Sequence, residues 1–65
     1  MSKQPLTQDQ FEDILYSPIL SVVQKEVTSG LEHHSYAYVY EGDLAIYVAV
    51  RHITAKGTTY WKEAI

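Results

Sequence analysis

A chain of 65 residues, 46% hydrophobic, with five basic and eight acidic side chains and a formal net charge of −3, has the size and balance of one small acidic domain. That length excludes a two-domain enzyme with a separate cofactor-binding half, since domains average roughly 100–150 residues. The absence of cysteine excludes a disulfide framework, a thiolate zinc site and a cysteine nucleophile, and it points to a reducing, cytoplasmic compartment.

Residues 1–6 read as a flexible N-terminus. Met1 to Pro5 lacks the charged start and apolar core of a secretory signal. Thr7 then supplies an N-cap, with Gln10 three residues on and Leu6 and Phe11 on either side. This is a capping box with a hydrophobic staple, which satisfies free backbone N–H groups and fixes the entry of the chain. A helix is expected from about Gln8, with Phe11, Ile14 and Leu15 on one face and Asp9, Glu12 and Asp13 favourably near its positive end. Ser17-Pro18 interrupts it as the cap and first residue of a second helix. Ile19, Val22, Val23 and Val27 would form that helix's apolar face, and Gly30 its stop. The span 7–29 is therefore read as two short helices or one kinked helix.

From Ser35 the period changes to two. Ser35 to Tyr40 alternates, Gly42-Asp43 forms a turn with Gly42 at positive φ, and Leu44 to Ile53 is a second β-rich run. Its apolar core, Leu44 to Val50, is seven residues long, against the about 20 that a membrane-spanning helix needs. A turn at Lys56-Gly57 leads to a third strand ending at Ile65. The fold class expected is α+β: an N-terminal kinked helix or two short helices packed on a three-stranded antiparallel β-meander over 35–65, in one domain spanning 1–65.

Pairing Glu41 with Leu44 extends to Val39 with Ile46 and Tyr38 with Tyr47, and directly opposed residues share a face. One face then holds Val39, Leu44, Ile46, Val48, Val50, Trp61 and Ile65, with Glu63 as a misfit, and would take the helices. The other holds Tyr36, Tyr38, Tyr40, Tyr47 and Tyr60, five of the six tyrosines, together with Ala45, Ala49, His34, Arg51 and Lys62. Tyrosine offers large amphipathic contact area at low entropic cost, so Tyr36, Tyr38, Tyr40, Tyr47, Tyr60, Arg51 and Lys62 form a candidate partner-binding surface. The alternatives are that the first helix covers these rings, or that they are ordinary cross-strand pairs.

No catalytic constellation emerges, and no cofactor is expected. The three glycines are isolated, so no phosphate-cradling loop exists. His33 and His34 point to opposite faces of a strand and cannot readily share an ion; with His52 across the sheet, no metal site is expected. The segment His34 to His52, with Tyr38, Asp43, Leu44, Ile46, Ala49 and Arg51, resembles the C-terminal hairpin of bacterial mRNA-cutting toxins of the RelE type. The resemblance covers under a third of the chain. The toxins need a strand before their helices and a basic catalytic set, both missing from this reading, so no catalytic residue is carried over.

The function expected is a cytoplasmic, non-enzymatic protein-binding module. It would be a homodimer or a small inhibitor or regulator of the kind phages and mobile elements encode, docking through the tyrosine face. The exposed edges at Ser35–Tyr40 or Tyr60–Ile65 offer a second mode, strand addition. The alternative is a single-stranded nucleic-acid binder that stacks bases on Tyr36, Tyr38 and Tyr47 beside Arg51, Lys62 and His34. Charge ranks it second, because polyanion binding relies on Lys and Arg, and only five are present. A RelE-like ribonuclease fragment ranks third.

Overall fold

A computed structural model describes residues 3–65. Its elements in chain order are β1 (Lys3–Pro5), α1 (Gln8–Leu15), β2 (Ser21–Ser29), β3 (Glu32–Glu41), β4 (Leu44–Thr54) and β5 (Gly57–Ala64). The strands form one antiparallel sheet in the order β1-β5-β4-β3-β2. This corrects the expected three-stranded meander with packed helices: the sheet has five strands, and one short helix lies against it.

The N-terminal signals act as the sequence implies. Gln10 N donates to Thr7 Oγ1 at 3.1 Å and Thr7 N donates to Gln10 Oε1 at 2.9 Å, closing the capping box. Just before it, Lys3–Pro5 pairs with β5 instead of forming a flexible tail, and Leu6 N continues the contact to Tyr60 O at 3.0 Å. A strand therefore does precede the helix, contrary to the sequence reading. Met1 and Ser2 lie outside the described residues.

The second helix is absent from the described residues. Ser17 Oγ accepts from the N–H groups of Ile19 and Leu20, both at 3.3 Å, as a cap would, but the chain then enters β2. Val22, Val23, Val27 and Thr28 are β-branched and lose side-chain freedom in a helix, while a strand here gains a full ladder from Ser21↔Tyr40 to Ser29↔Glu32. Gly30 at φ 60° serves the hairpin turn into β3, not a helix stop. Ile19, Val23 and Val27 are consequently 89%, 55% and 38% exposed and do not join the core, whereas Val22 packs against it. Strands β2 and β1 also occupy the edges beside Tyr36–Tyr40 and Trp61–Glu63, which closes those edges to strand addition.

The turn at Gly42-Asp43 forms as expected, with Gly42 at φ 62° between paired Glu41 and Leu44. The ladder then shifts: Tyr40 pairs with Ala45, but Val39 pairs with Tyr47, leaving Ile46 as the extra residue of a β-bulge. Beyond it every β4 side chain changes face relative to β3. Ser35, Ala37 and Val39 now oppose Arg51, Ala49 and Tyr47, while His34, Tyr36 and Tyr38 oppose His52, Val50 and Val48. The next turn falls at Ala55-Lys56 instead of Lys56-Gly57, sliding the β4–β5 pairing so that Trp61 opposes Val50 and not His52. That slide is an even number of residues, so Trp61 and His52 still share a face.

The small pair Ala37 and Ala49, both fully buried, makes a hollow in the sheet that receives Phe11 of α1. Ile14, Leu15, Leu6, Val22 and Tyr60 surround it, and the Phe11 and Tyr60 rings lie 5.5 Å apart. The helix thus sits on the Ala37/Ala49 face, not on the aliphatic face of Val48, Val50 and Trp61 that was expected to take it. At its margin a polar chain replaces apolar packing. Arg51 donates to Ser35 Oγ at 3.0 Å, Ser35 Oγ donates to Glu26 at 2.7 Å, and His33 closes on the same Glu26 oxygen. Ser35 is 1% exposed, and the Arg51 guanidinium lies 5.4 Å from the centre of the Phe11 ring.

An eight-residue helix is marginal alone, so its docking rests on Phe11. Phe11→Ala should cost about 3–5 kcal/mol, detaching α1 in far-UV circular dichroism and lowering the urea midpoint. A loss below about 1 kcal/mol would place the core elsewhere. The Ser35 hydroxyl, aided by Gln24 and His33 and opposed by partial desolvation, holds the Glu26 carboxyl down at about 2 against an ordinary 4.5. A lowered folded-state value means stability that is complete above pH 4.5 and is lost as pH falls from there through about 2. Thermal melts across that window should show a shallower acid decline for Glu26→Gln than for the unsubstituted chain; parallel declines would refute the linkage.

Candidate functional site

The sheet has one covered and one open face. Helix α1 lies over Val22, Ala37, Ala49 and Tyr60. On the opposite side, among the described residues, no element packs over the sheet. There β3 presents Glu32, His34, Tyr36, Tyr38 and Tyr40, β4 presents Val48, Val50 and His52, and β5 presents Trp61 and Glu63, with Val23 and Lys25 from β2 and Lys3 from β1.

The rings on this face form a continuous row. Centroids of Tyr38 and Tyr36 lie 6.1 Å apart, Tyr36 and His34 5.9 Å, and His34 and His52 4.0 Å. Trp61 meets His52 edge-on at 6.2 Å, and Lys3 Nζ lies 4.6 Å from the centre of the Trp61 ring. Strand alternation places Tyr36 and Tyr38 together with His34, and direct cross-strand pairing brings His52 to His34. Glu63 is no misfit: it faces the open side and accepts a hydrogen bond from Trp61 Nε1 at 2.9 Å.

The seven candidate residues divide between the faces. Tyr36, Tyr38 and Tyr40 lie on the open face. Tyr47, Tyr60, Arg51 and Lys62 lie on the helix face, because the bulge turns β4 over and β5 follows it. There Tyr60 and Arg51 enclose Phe11, and Lys62 Nζ rests 5.5 Å from the centre of the Tyr47 ring. The row also includes three residues outside those seven: His34, which the sequence places beside the tyrosines, and His52 and Trp61, which it places on the other face. Their shared face is readable from the β4–β5 hairpin; only its relation to β3 depends on the bulge.

Charge on the open face is balanced, with Lys3 and Lys25 against Glu32 and Glu63. The acidic first turns of α1, with Asp9, Glu12 and Asp13, belong to the other side of the sheet. Among the described residues no helix is long and apolar enough to cross a membrane.

The profile of the Phage T4 Cef protein family matches residues 1–64. Protein cef of Enterobacteria phage T4 is 56% identical over 63 residues, covering 92% of this chain and 89% of that protein. No solved structure matches significantly. With the profile spanning nearly the whole sheet and helix, the chain belongs to the Phage T4 Cef protein family.

Proposed function

We propose that this small phage protein is a non-enzymatic, cytoplasmic regulator that docks on a larger protein through its open aromatic sheet face. One observation carries the reading: a five-stranded sheet buries one face under α1 and leaves the other, with its row of Tyr38, Tyr36, His34, His52 and Trp61, uncovered. A core this small gains from covering that face, and Tyr and Trp are the side chains most often dominant in binding energy. A second copy packed sheet to sheet is the homodimeric form of the same arrangement.

A second reading, stacking of single-stranded nucleic acid, is favoured by Lys3 over Trp61 and by Lys25 opposite Tyr36. It ranks lower because Arg51 and Lys62, the cations it relied on, face the helix side, and the cations left on the open face are matched by Glu32 and Glu63.

Tyr36→Ala combined with Tyr38→Ala should leave the circular-dichroism spectrum intact and weaken self-association or capture of a defined partner about 30-fold or more, as for hot spots worth about 2 kcal/mol. Sedimentation and affinity capture from infected cells, with Lys56→Ala as a remote control, read the outcome. Unchanged association in a folded double variant would refute protein docking through this face. Tight oligonucleotide binding at low salt that collapses as salt rises would favour the second reading.

A further inference from the structure

The row of rings contains a group whose chemistry differs from that of its neighbours. Glu32 and His34 stand two apart on β3 and project to the same face, and His52 is the direct cross-strand partner of His34. One ligand atom from each lies within 4.8 Å of the others. The two imidazoles are nearly parallel, 11° apart in plane with centroids at 4.0 Å, and His52 Nε2 donates to Glu32 Oε1 at 2.8 Å. His33 turns to the opposite face and bonds Glu26 and Thr28, away from His34. The pairing of His34 with His52 supplies what adjacency could not.

We propose that Glu32, His34 and His52 form a binding site for a late first-row divalent metal ion of the zinc class. Two imidazoles and one carboxylate suit zinc, and a tetrahedral centre with bonds of about 2.0–2.1 Å places its ligand atoms about 3.3 Å apart. Closing from 4.8 Å to that spacing requires only side-chain rotation, since the backbone register already sets all three residues on one face. Coordination through His52 Nε2 moves the proton now shared with Glu32 to the other ring nitrogen, leaving the imidazole neutral. Trp61 and Tyr36 wall the site on two sides, and the ring stack holds the two imidazoles side by side, from where a tilt of each ring turns its nitrogen toward a shared ion. The remaining coordination position opens outward to water or to a partner on the same face. The site stands apart from the docking reading and can exist without it.

Calorimetric titration of the chelator-treated full chain with Zn²⁺ tests it. One ion per chain is expected, with His34→Gln and His52→Gln each weakening binding at least about tenfold, in line with the losses seen even for residues behind a metal's ligands. His33→Gln, on the opposite face, should bind as the unsubstituted chain does. Glu32→Gln, at the exposed end of β3, provides a ligand variant with little demand on folding, and circular dichroism confirms that each variant is folded. Quenching of the lone tryptophan, Trp61, by Cu²⁺ gives an independent readout that should vanish with His52→Gln. Absence of Zn²⁺ binding at submillimolar concentration would overturn the assignment. So would binding that survives loss of both His34 and His52, or that falls equally with His33→Gln.

Discussion

The arrangement of this molecule depends on one extra residue. Between Val39 and Tyr40 the β3–β4 ladder shifts, and Ile46 is left without a partner in β3. Side chains alternate with a period of two, so a single inserted residue reverses the face of everything that follows on β4. Reversal sets Ala49 opposite Ala37 and thereby opens the hollow that Phe11 fills. It sets His52 opposite His34 and thereby completes the ring row. Without the bulge, Val48 would oppose Ala37 under the helix, and Tyr47 would join Tyr38 on the open side.

The helix side illustrates how little buried surface holds a chain of this size. Among the described residues, only Phe11, Ala37, Val39, Ala49 and Val50 are buried apolar side chains. Two of these are alanines whose contribution is to be small: the cross-strand pair lets α1 come close enough for one phenylalanine to make contact all round. Beyond that contact the interior becomes polar, and Ser35 is buried only because Arg51 donates to it and it donates to Glu26. Removing one member of such a chain strands the others, so the network fixes the register of β2, β3 and β4 as much as it stabilises them. Val50 is the exception among the buried residues. It points to the open face and is sheltered by its cross-strand partners, Tyr36 and Trp61.

Legibility from the sequence followed how local each signal is. The capping box, the Phe11–Ile14–Leu15 stripe and the Gly42 turn are fixed by residues within a few positions of one another, and each formed as read. β2 was not legible because it is an edge strand with scant burial. Its valines fit a helical spacing as well as a strand, and only the pairing with β3, contributed by distant residues, decides between them. β1 is three residues long and contains Pro5, which no local rule would call a strand. The bulge left no mark in composition at all. Hence Tyr36, Tyr38 and Tyr40 share one face as their alternation in β3 requires, while Tyr47, Tyr60, Arg51 and Lys62 lie on the opposite face along with the strands that carry them.

These placements give the molecule two unlike sides. The helix side carries Asp9, Glu12 and Asp13, and its solvent-facing surface is acidic. The open side carries aromatic rings, imidazoles and a balanced pair of lysines and glutamates, with Val23 exposed at its edge. A partner approaching the acidic side would have to displace hydrated carboxylates while gaining little apolar contact. One approaching the open side meets rings already ordered by their mutual stacking, so less side-chain entropy remains to be lost on contact. The same preorganisation on which the proposed docking draws also holds His34 and His52 face to face. Both properties descend from the cross-strand register that the extra residue at Ile46 imposes.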